Sequence, residues 1–190
     1  MTERLGALLL TLLLMACTAV PEGIAPVPEL DTERYLGTWY EIARLDHSFE
    51  RGLDSVTARY SRHPDGGLRV LNRGYDSEAG EWQEAEGRAR YAGDQPSGHL
   101  EVSFFGPFYS SYVIFELDPD YQYAFVSGYN RDYLWLLSRT PKVSEALRER
   151  FVDEARARGF AVEELQFISQ ARHRCGAGEA AAHCGTVAPE

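Results

Sequence analysis

Cysteine and histidine side chains near the end of the chain have types and spacing that could do chemistry. Cys175 and Cys184 stand in a glycine- and alanine-rich stretch, with His173 and His183 close by. In an oxidising compartment the two thiols would most simply form a local disulfide, worth about 2–3 kcal/mol for a loop of roughly ten residues. The four side chains could instead bind zinc or copper, although their spacing differs from that of CxxC-type sites. A tail with free thiols is the third possibility.

Sequence patterns typical of hydrolases do not occur in the chain. There is no Gly-x-Ser-x-Gly turn and no His-Glu-x-x-His run. His47, His63 and His99 fall in or beside predicted turns, where a solvated histidine is expected. We therefore expect no catalytic residues, no resident metal and no cofactor.

The elements that would position any site are mostly strands. Turn residues separate eight strand-like runs, and such short links favour an up-and-down order of hairpins. The runs cover 37–45, 54–63, 67–76, 81–92, 98–106, 111–118, 122–129 and 133–139.

One helix is predicted after the strands. Ser144 is a good N-cap, apolar residues recur every four positions from Val143 to Ala155, and Gly159 can end the helix. A last strand-like run covers 162–169. The predicted fold is all-β: an eight-stranded antiparallel up-and-down β-barrel with one C-terminal α-helix packed on the outside.

The strand faces predicted to point inward carry small residues interleaved with aromatic rings. A fully packed barrel would hold Leu and Ile at most such positions, so this pattern indicates a ligand cavity lined by rings. Large residues from facing strands could instead fill the gaps. The predicted lining residues are Ala58, Tyr60, Val70, Asn72, Ala85, Ala89, Tyr91, Val102, Phe104, Tyr112, Ile114, Val126, Tyr133 and Trp135. Glu41 could also point inward, as a hydrogen-bonded structural residue or as a ligand contact.

The N-terminus reads as a targeting segment. An apolar run from Leu5 to Ala16 is too short to span a bilayer and has the length of a signal-peptide core. The small residue directly before Cys17 resembles the lipobox of bacterial lipoproteins, in which the cysteine becomes an acylated N-terminus; an ordinary secretory signal is the alternative. The expected organisation is 1–16 signal peptide, 17–33 acylated end and flexible proline-rich tether, 34–172 barrel domain and 173–190 extension.

The net charge of −10 argues against a nucleic-acid partner, because such proteins present a basic face. The same charge argues against lying flat on anionic lipid. Contact with a membrane would therefore come from acylated Cys17.

Three segments resemble the signatures of the lipocalin family, in order and spacing. Gly37 and Trp39 belong to the first, Asp132 to the second and Arg139 to the third, in which the arginine packs over the tryptophan at the closed end of the barrel. The segments are Gly37-Thr38-Trp39-Tyr40-Glu41, Asn130-Arg131-Asp132-Tyr133-Leu134-Trp135 and Leu137-Ser138-Arg139-Thr140-Pro141. The likeness covers about residues 30–170 and is strongest to the bacterial outer-membrane lipocalins, with apolipoprotein D as the related animal type.

The resemblance implies a barrel open at one end that binds a small hydrophobic molecule without transforming it. For the bacterial branch it implies a fatty acid or lysophospholipid, stored or transported at the periplasmic face of the outer membrane. A lipocalin-fold enzyme acting on a lipid, or an envelope interaction protein with a filled barrel, are the alternatives. The aromatic run from Phe104 to Tyr109 is expected to be exposed, as the lip through which lipid enters or as a homodimer surface.

Overall fold

The computed structural model describes residues 18–173, and strands account for most of them. Cys17, Cys175, His183 and Cys184 lie outside the described residues, as do the signal peptide and most of the extension. The strands are β1 Gly37–Arg44, β2 Leu53–Arg62, β3 Leu68–Asp76, β4 Glu81–Tyr91, β5 His99–Ser103, β6 Ser110–Leu117, β7 Tyr123–Ser127, β8 Leu134–Ser138 and β9 Gln166–Phe167. The helices are α1 Thr32–Tyr35 and α2 Glu145–Ala157, with short 3-10 turns at Val162–Glu164 and Ala171–His173.

The first eight strands form a closed antiparallel barrel. Each pairs with the next along the chain, and β1 closes the ring by pairing with both β8 and β2. The predicted eight-stranded up-and-down barrel is therefore confirmed. Turn chemistry fixes the hairpins as expected: at the β3–β4 turn, Asp76 Oδ1 accepts from the backbone N–H groups of Glu78 and Ala79.

The barrel has two different ends. In an up-and-down barrel the β1–β2, β3–β4, β5–β6 and β7–β8 loops all meet at one end, which we call the mouth. The other end, the closed end, is covered by α1, which Asp31 caps by accepting from the N–H groups of Glu33 and Arg34. Tyr35 at the end of α1 is fully buried.

Strands β4 and β5 are hydrogen-bonded to each other over only part of their length. β4 pairs with β5 from Arg88 to Tyr91, whereas Glu81 to Gly87 pair with β3 alone in the described part of the chain. β5 is shorter than the predicted run 98–106, because the chain leaves the sheet after Ser103. The barrel wall is therefore open beside the mouth, between β4 and the β5–β6 loop. We call this opening the open seam.

Helix α2 packs on the outside of the barrel, as predicted. Ser144 caps it by accepting from Leu147 N–H at 3.2 Å, and Phe151 and Ala155 are fully buried against outward-facing residues of β1, β6, β7 and β8. Within residues 18–173, no helix has the length and apolarity to cross a membrane.

The chain after α2 bridges a gap between β1 and β2. Those strands pair only near the closed end, and β9 pairs with Ala43 and Arg44 at the end of β1 nearer the mouth. Gln170 is 2% exposed, and its side-chain amide donates to the backbone oxygens of Glu41, at 2.7 Å, and Val56, at 3.0 Å. Gln170 thus bridges the two strands together with its neighbouring backbone, where Ile168 N–H donates to Ile42 O and Ser55 N–H donates to Ser169 O.

The N-terminal segment packs more closely than a flexible tether would. Ile24 and Leu30 are buried, and Val27 exchanges backbone hydrogen bonds with Ile114 and Gly98. These three apolar residues are spaced by three, the period of an extended proline-rich chain, so one face of the segment lies against the barrel.

Candidate functional site

The strand registers place the predicted lining residues on the inner face of the barrel. Trp39 lies opposite Ala58, and the pairing continues on the same face around the ring. Two predicted residues lie outside the strands: Tyr133 precedes β8 in the β7–β8 loop at the mouth, and Phe104 directly follows β5. The inner face divides into a packed lower half, near the closed end, and an upper half, near the mouth.

The closed end is held by Trp39 and Arg139. Trp39 is fully buried and donates from Nε1 to Tyr35 O at 2.9 Å. The Arg139 guanidinium lies 3.8 Å from the indole centroid and donates to the backbone oxygens of Thr38, at 3.1 Å, and Arg34, at 2.5 Å. This is the packing that the resemblance implied for these two side chains.

Trp39, Arg139 and α1 together form a plug at the closed end. Three tyrosine hydroxyls meet on the mouth side of this plug. Tyr112 OH lies 2.7 Å from Tyr35 OH and 2.9 Å from Tyr60 OH. Burial raises the pKa of Tyr60 to about 12 and raises the pKa values of Tyr35 and Tyr112 well above their usual range. The three phenols therefore stay neutral and satisfy one another.

Several predicted lining residues belong to this lower half. Tyr60, Val70, Ala89, Ile114 and Val126 are buried in one apolar cluster with the plug, and the Tyr91 hydroxyl bonds to Thr32 Oγ1 of α1. Partly buried residues nearer the mouth also pack against this cluster; they are Ala58, Val102, Phe104 and Trp135.

The upper half of the inner face is more accessible. Ala85 is exposed, and the other accessible positions are half-buried: Ala58, Asn72, Val102, Phe104 and Trp135. Asn72 Oδ1 is buried without a hydrogen-bond partner in the described part of the chain. The small side chains and the unpaired amide oxygen offer apolar contacts and one polar contact to a bound molecule.

A buried charged cluster lies at the top of the inner face. Glu41, Arg44 and Glu50 are 4%, 1% and 6% exposed. Arg44 Nη1 donates to Glu41 Oε1 at 2.7 Å, and Arg44 Nη2 donates to Glu50 O at 2.8 Å. Trp135 Nε1 donates to Glu50 Oε1 at 3.0 Å, which ties the β1–β2 loop to the inner face of β8.

The two carboxyl groups share one arginine, and this sets their protonation. Burial raises the pKa of Glu50 well above its usual range, and the charge of Glu41 raises it further. Burial also raises the pKa of Glu41, but the Arg44 guanidinium opposes that shift. We therefore assign the negative charge to Glu41, beside Arg44, and the proton to Glu50, which donates to Glu41.

His47 corrects the prediction of a solvated histidine. Its side chain is 7% exposed and stacks on Tyr133 at 4.3 Å and on Phe49 at 5.3 Å between ring centroids. Burial lowers its pKa, so the ring is neutral at pH 7. His47 is buried because the β1–β2 loop folds over the mouth onto the β7–β8 loop.

The other two histidines of that prediction lie elsewhere. His99 is half-buried on β5, with Nε2 2.9 Å from Ser111 Oγ. His63 Nδ1 accepts from Asp65 N–H in the β2–β3 turn. His173 Nε2 lies 2.7 Å from Ser55 O, and no cluster of three metal-binding side chains occurs among residues 18–173.

The aromatic run after β5 is split between inside and outside. Phe104 packs against the inner cluster, whereas Phe105 and Phe108 are 81% and 65% exposed. A groove of about 430 Å³ lies at the open seam; its lining residues are Glu86, Gly87, Arg88, Ser103, Phe104, Gly106, Pro107 and Tyr109. Asp132 of the second signature is exposed and forms a local turn with Asn130.

Arg44, Glu50 and Gln170 were not predicted as site residues. Strict alternation from Trp39 and Glu41 points Arg44 outward, but a register shift between Glu41 and Ala43 turns it inward. Glu50 lies in a loop, where no periodicity applies.

Comparison with known proteins adds an independent observation. Residues 30–170 match the Lipocalin-like domain family. The outer membrane lipoprotein Blc of Vibrio cholerae is 54% identical over 164 residues, covering 86% of this chain and 96% of the relative. Blc of Escherichia coli K12 is 48% identical, covering 83% and 90%, and apolipoprotein D of Mus musculus is 30% identical, covering 77% and 80%.

Solved structures share the fold at low sequence identity. The cockroach allergen Per a 4 superposes with a TM-score of 0.64 at 17% identity, covering 83% of this chain and 98% of the allergen. Insecticyanin of Manduca sexta gives 0.61 at 19% identity, covering 80% and 86%. These likenesses support the barrel architecture alone.

Proposed function

The chain belongs to the lipocalin family, and from that premise we propose that it binds a single-chain lipid, a fatty acid or a lysophospholipid, in the upper half of its barrel. Binding here involves no chemical conversion. The close relatives are named outer membrane lipoproteins, which supports an outer-membrane location for this chain. Acylated Cys17 would then be the anchor, with the barrel on the periplasmic face.

The observation that carries the proposal is the contrast between the two halves of the interior. The lower half is packed against α1, whereas the upper half presents small and half-exposed residues below the mouth. An apolar chain entering there would cover Ala58, Ala85 and Val102. Burial of apolar surface supplies about 25 cal/mol per Å², so covering a few hundred Å² drives binding.

The head group of the ligand belongs near polar atoms of the upper half. Asn72 is the candidate, because its amide oxygen lacks a partner among the described side chains. The Arg44 guanidinium is already bonded to Glu41 and to two backbone oxygens. Formal charge on the ligand should therefore contribute little, and chain length should dominate the affinity.

Tryptophan fluorescence tests the proposal. Trp135 is half-buried on the inner face, so its emission should respond when fatty acids or lysophospholipids are titrated into the mature protein. Ala85→Phe should fill the upper half and weaken binding at least about tenfold, equivalent to about 1.4 kcal/mol. Glu84→Phe places the same ring on the outer face of the same strand and should leave the affinity unchanged.

Two results would contradict the proposal. Absence of saturable binding by any single-chain lipid, with the barrel shown to be folded by circular dichroism, would favour the filled-barrel alternative. Equal losses of affinity for Ala85→Phe and Glu84→Phe would mean that the ligand binds outside the upper half.

A further inference from the structure

Exposed phenylalanines cluster at the mouth of the barrel. Phe49 in the β1–β2 loop is 59% exposed, and Phe105 and Phe108 in the β5–β6 loop are 81% and 65% exposed. β1 and β5 are four strands apart in an eight-stranded ring, so the two loops lie on opposite sides of the opening. Large apolar side chains exposed on both sides of one opening indicate a contact surface at that end of the barrel.

The N-terminal segment leads to the same end of the barrel. Leu30 N–H donates to Pro96 O in the β4–β5 loop, at the closed end. Farther towards the N-terminus, Glu22 O accepts from the Arg131 side chain, which belongs to the β7–β8 loop at the mouth. The segment therefore runs along the wall from the closed end to the mouth as it is followed back towards residue 18.

The end of α2 gives a second marker for that position. Arg131 Nε donates to Arg158 O at 2.6 Å. α2 starts after β8 at the closed end, so its C-terminal residue marks the level of the mouth. Val20 still packs against the apolar cluster between α2 and the outer face of the barrel.

Little chain is left between the barrel and an anchor at Cys17. Three residues beyond Val20 span at most about 11 Å when fully extended. An acyl chain on Cys17 would hold the mouth, rather than the closed end, close to the bilayer. Phe49, Phe105 and Phe108 would then face the lipid without any reorientation of the barrel.

We propose that the mouth rests on the bilayer surface, with Phe49, Phe105 and Phe108 inserted at the boundary between head groups and acyl chains. This inference rests on the acylated anchor of the proposed function. The partner is a lipid surface of low charge, since the net charge of −10 is repelled by anionic lipid. A lipid could then pass from the bilayer into the upper half of the barrel through the mouth and the open seam beside Phe104, with no path through bulk water.

Quenching by brominated lipid tests this orientation. The acylated full chain is reconstituted into phosphatidylethanolamine–phosphatidylcholine vesicles, with and without brominated acyl chains. Phe105→Trp reports on the mouth. Phe167→Trp is the matched control, because Phe167 is also exposed, at 46%, but lies on the flank over Arg148.

The expected result is a blue-shifted Phe105→Trp emission that brominated lipid quenches about twofold more strongly than the Phe167→Trp emission, each measured against the parent chain. Equal quenching at both positions would overturn the orientation. A blue shift without quenching would identify a second copy of the chain as the occupant and would also overturn the proposal. A mature chain without acyl mass in mass spectrometry would remove the tether on which the orientation depends.

Failure of the orientation can be distinguished from failure of lipid binding. If the Trp135 titration saturates while Phe105→Trp remains unquenched, the chain binds lipid but does not rest on the bilayer by its mouth. If Phe105→Trp is quenched and Trp135 does not respond, the surface contact stands without an internal ligand.

Discussion

Replacing either carboxyl of the mouth cluster by an amide should have very different consequences. Glu41 and Glu50 are both buried near Arg44, but the Arg44 guanidinium contacts the Glu41 carboxylate directly, at 2.7 Å, and Glu50 only through its backbone oxygen. Glu41→Gln removes the countercharge from a buried arginine. Breaking a buried pair in this way costs about 3–5 kcal/mol of unfolding free energy.

Glu50→Gln should cost about 1 kcal/mol or less at pH 7, because a glutamine resembles a protonated glutamate. Its amide N–H₂ can donate to Glu41, and its oxygen can accept from Trp135 Nε1 as Glu50 Oε1 does. Both substitutions make the same chemical change at similarly buried side chains, so each serves as the control for the other.

The pH dependence gives a second readout with a defined sign. The folded-state pKa of Glu50 is raised by burial and by Glu41. Between the ordinary glutamate pKa and this raised value, the folded state binds more protons than the unfolded state, so stability falls as pH rises. The contribution of Glu50 is complete below the ordinary pKa and lost above the raised one. Glu50→Gln should remove this part of the pH dependence.

Urea denaturation of the parent and both variants at a series of pH values measures these differences. Titrating groups that do not interact with Glu50 cancel when Glu50→Gln is compared with the parent. Equal costs for the two variants at pH 7, or a larger cost for Glu50→Gln, would refute the assignment of the charge to Glu41. An unchanged pH slope in Glu50→Gln would refute the assignment of the proton to Glu50.

Two further substitutions test the closed end and the β1–β2 gap. Arg139→Ala removes the cation over Trp39 and its backbone hydrogen bonds, so we expect a loss of about 2–3 kcal/mol in urea denaturation with unchanged lipid affinity. Lost affinity with unchanged stability would contradict this. Gln170→Ala leaves the backbone oxygens of Glu41 and Val56 without their donor and should cost about 2–3 kcal/mol, whereas exposed Gln166→Ala on β9 should cost far less. Similar costs for both glutamines would contradict the bridging role.

The barrel and the helix could be predicted from the sequence because their signals are local. Alternation in the second half of β4, where Gly87 and Ala89 are buried, and the four-residue spacing up to Ala155 each specify one buried face. The contact between Trp39 and Arg139 was expected from the family signatures rather than from the pattern. The sequence predicted the orientation and burial of side chains less well where the chain leaves regular strands and helices.

Three features lay beyond any periodic pattern. The register shift after Glu41 reverses the direction of Arg44, and such a shift depends on how β1 meets β8. His47 is buried because the loop that carries it folds onto Tyr133. The N-terminal segment packs along the wall although its prolines favour an extended linker, because its apolar residues share one face.

The polar groups of the interior explain why the upper half is suited to a ligand. At the closed end the tyrosine hydroxyls bond to one another, and at the mouth Arg44 neutralises Glu41 while Glu50 keeps its proton. At the mouth, Arg44 Nε and His47 Nε2 remain without a partner in the described part of the chain. Between them, Asn72 Oδ1 lacks a partner within residues 18–173. A buried acceptor without a partner costs about 1–3 kcal/mol, so a ligand hydroxyl or amide that donates to Asn72 gains affinity that a hydrocarbon of equal length does not. Asn72→Leu should therefore reduce the preference for ligands with such donors while retaining affinity for the chain.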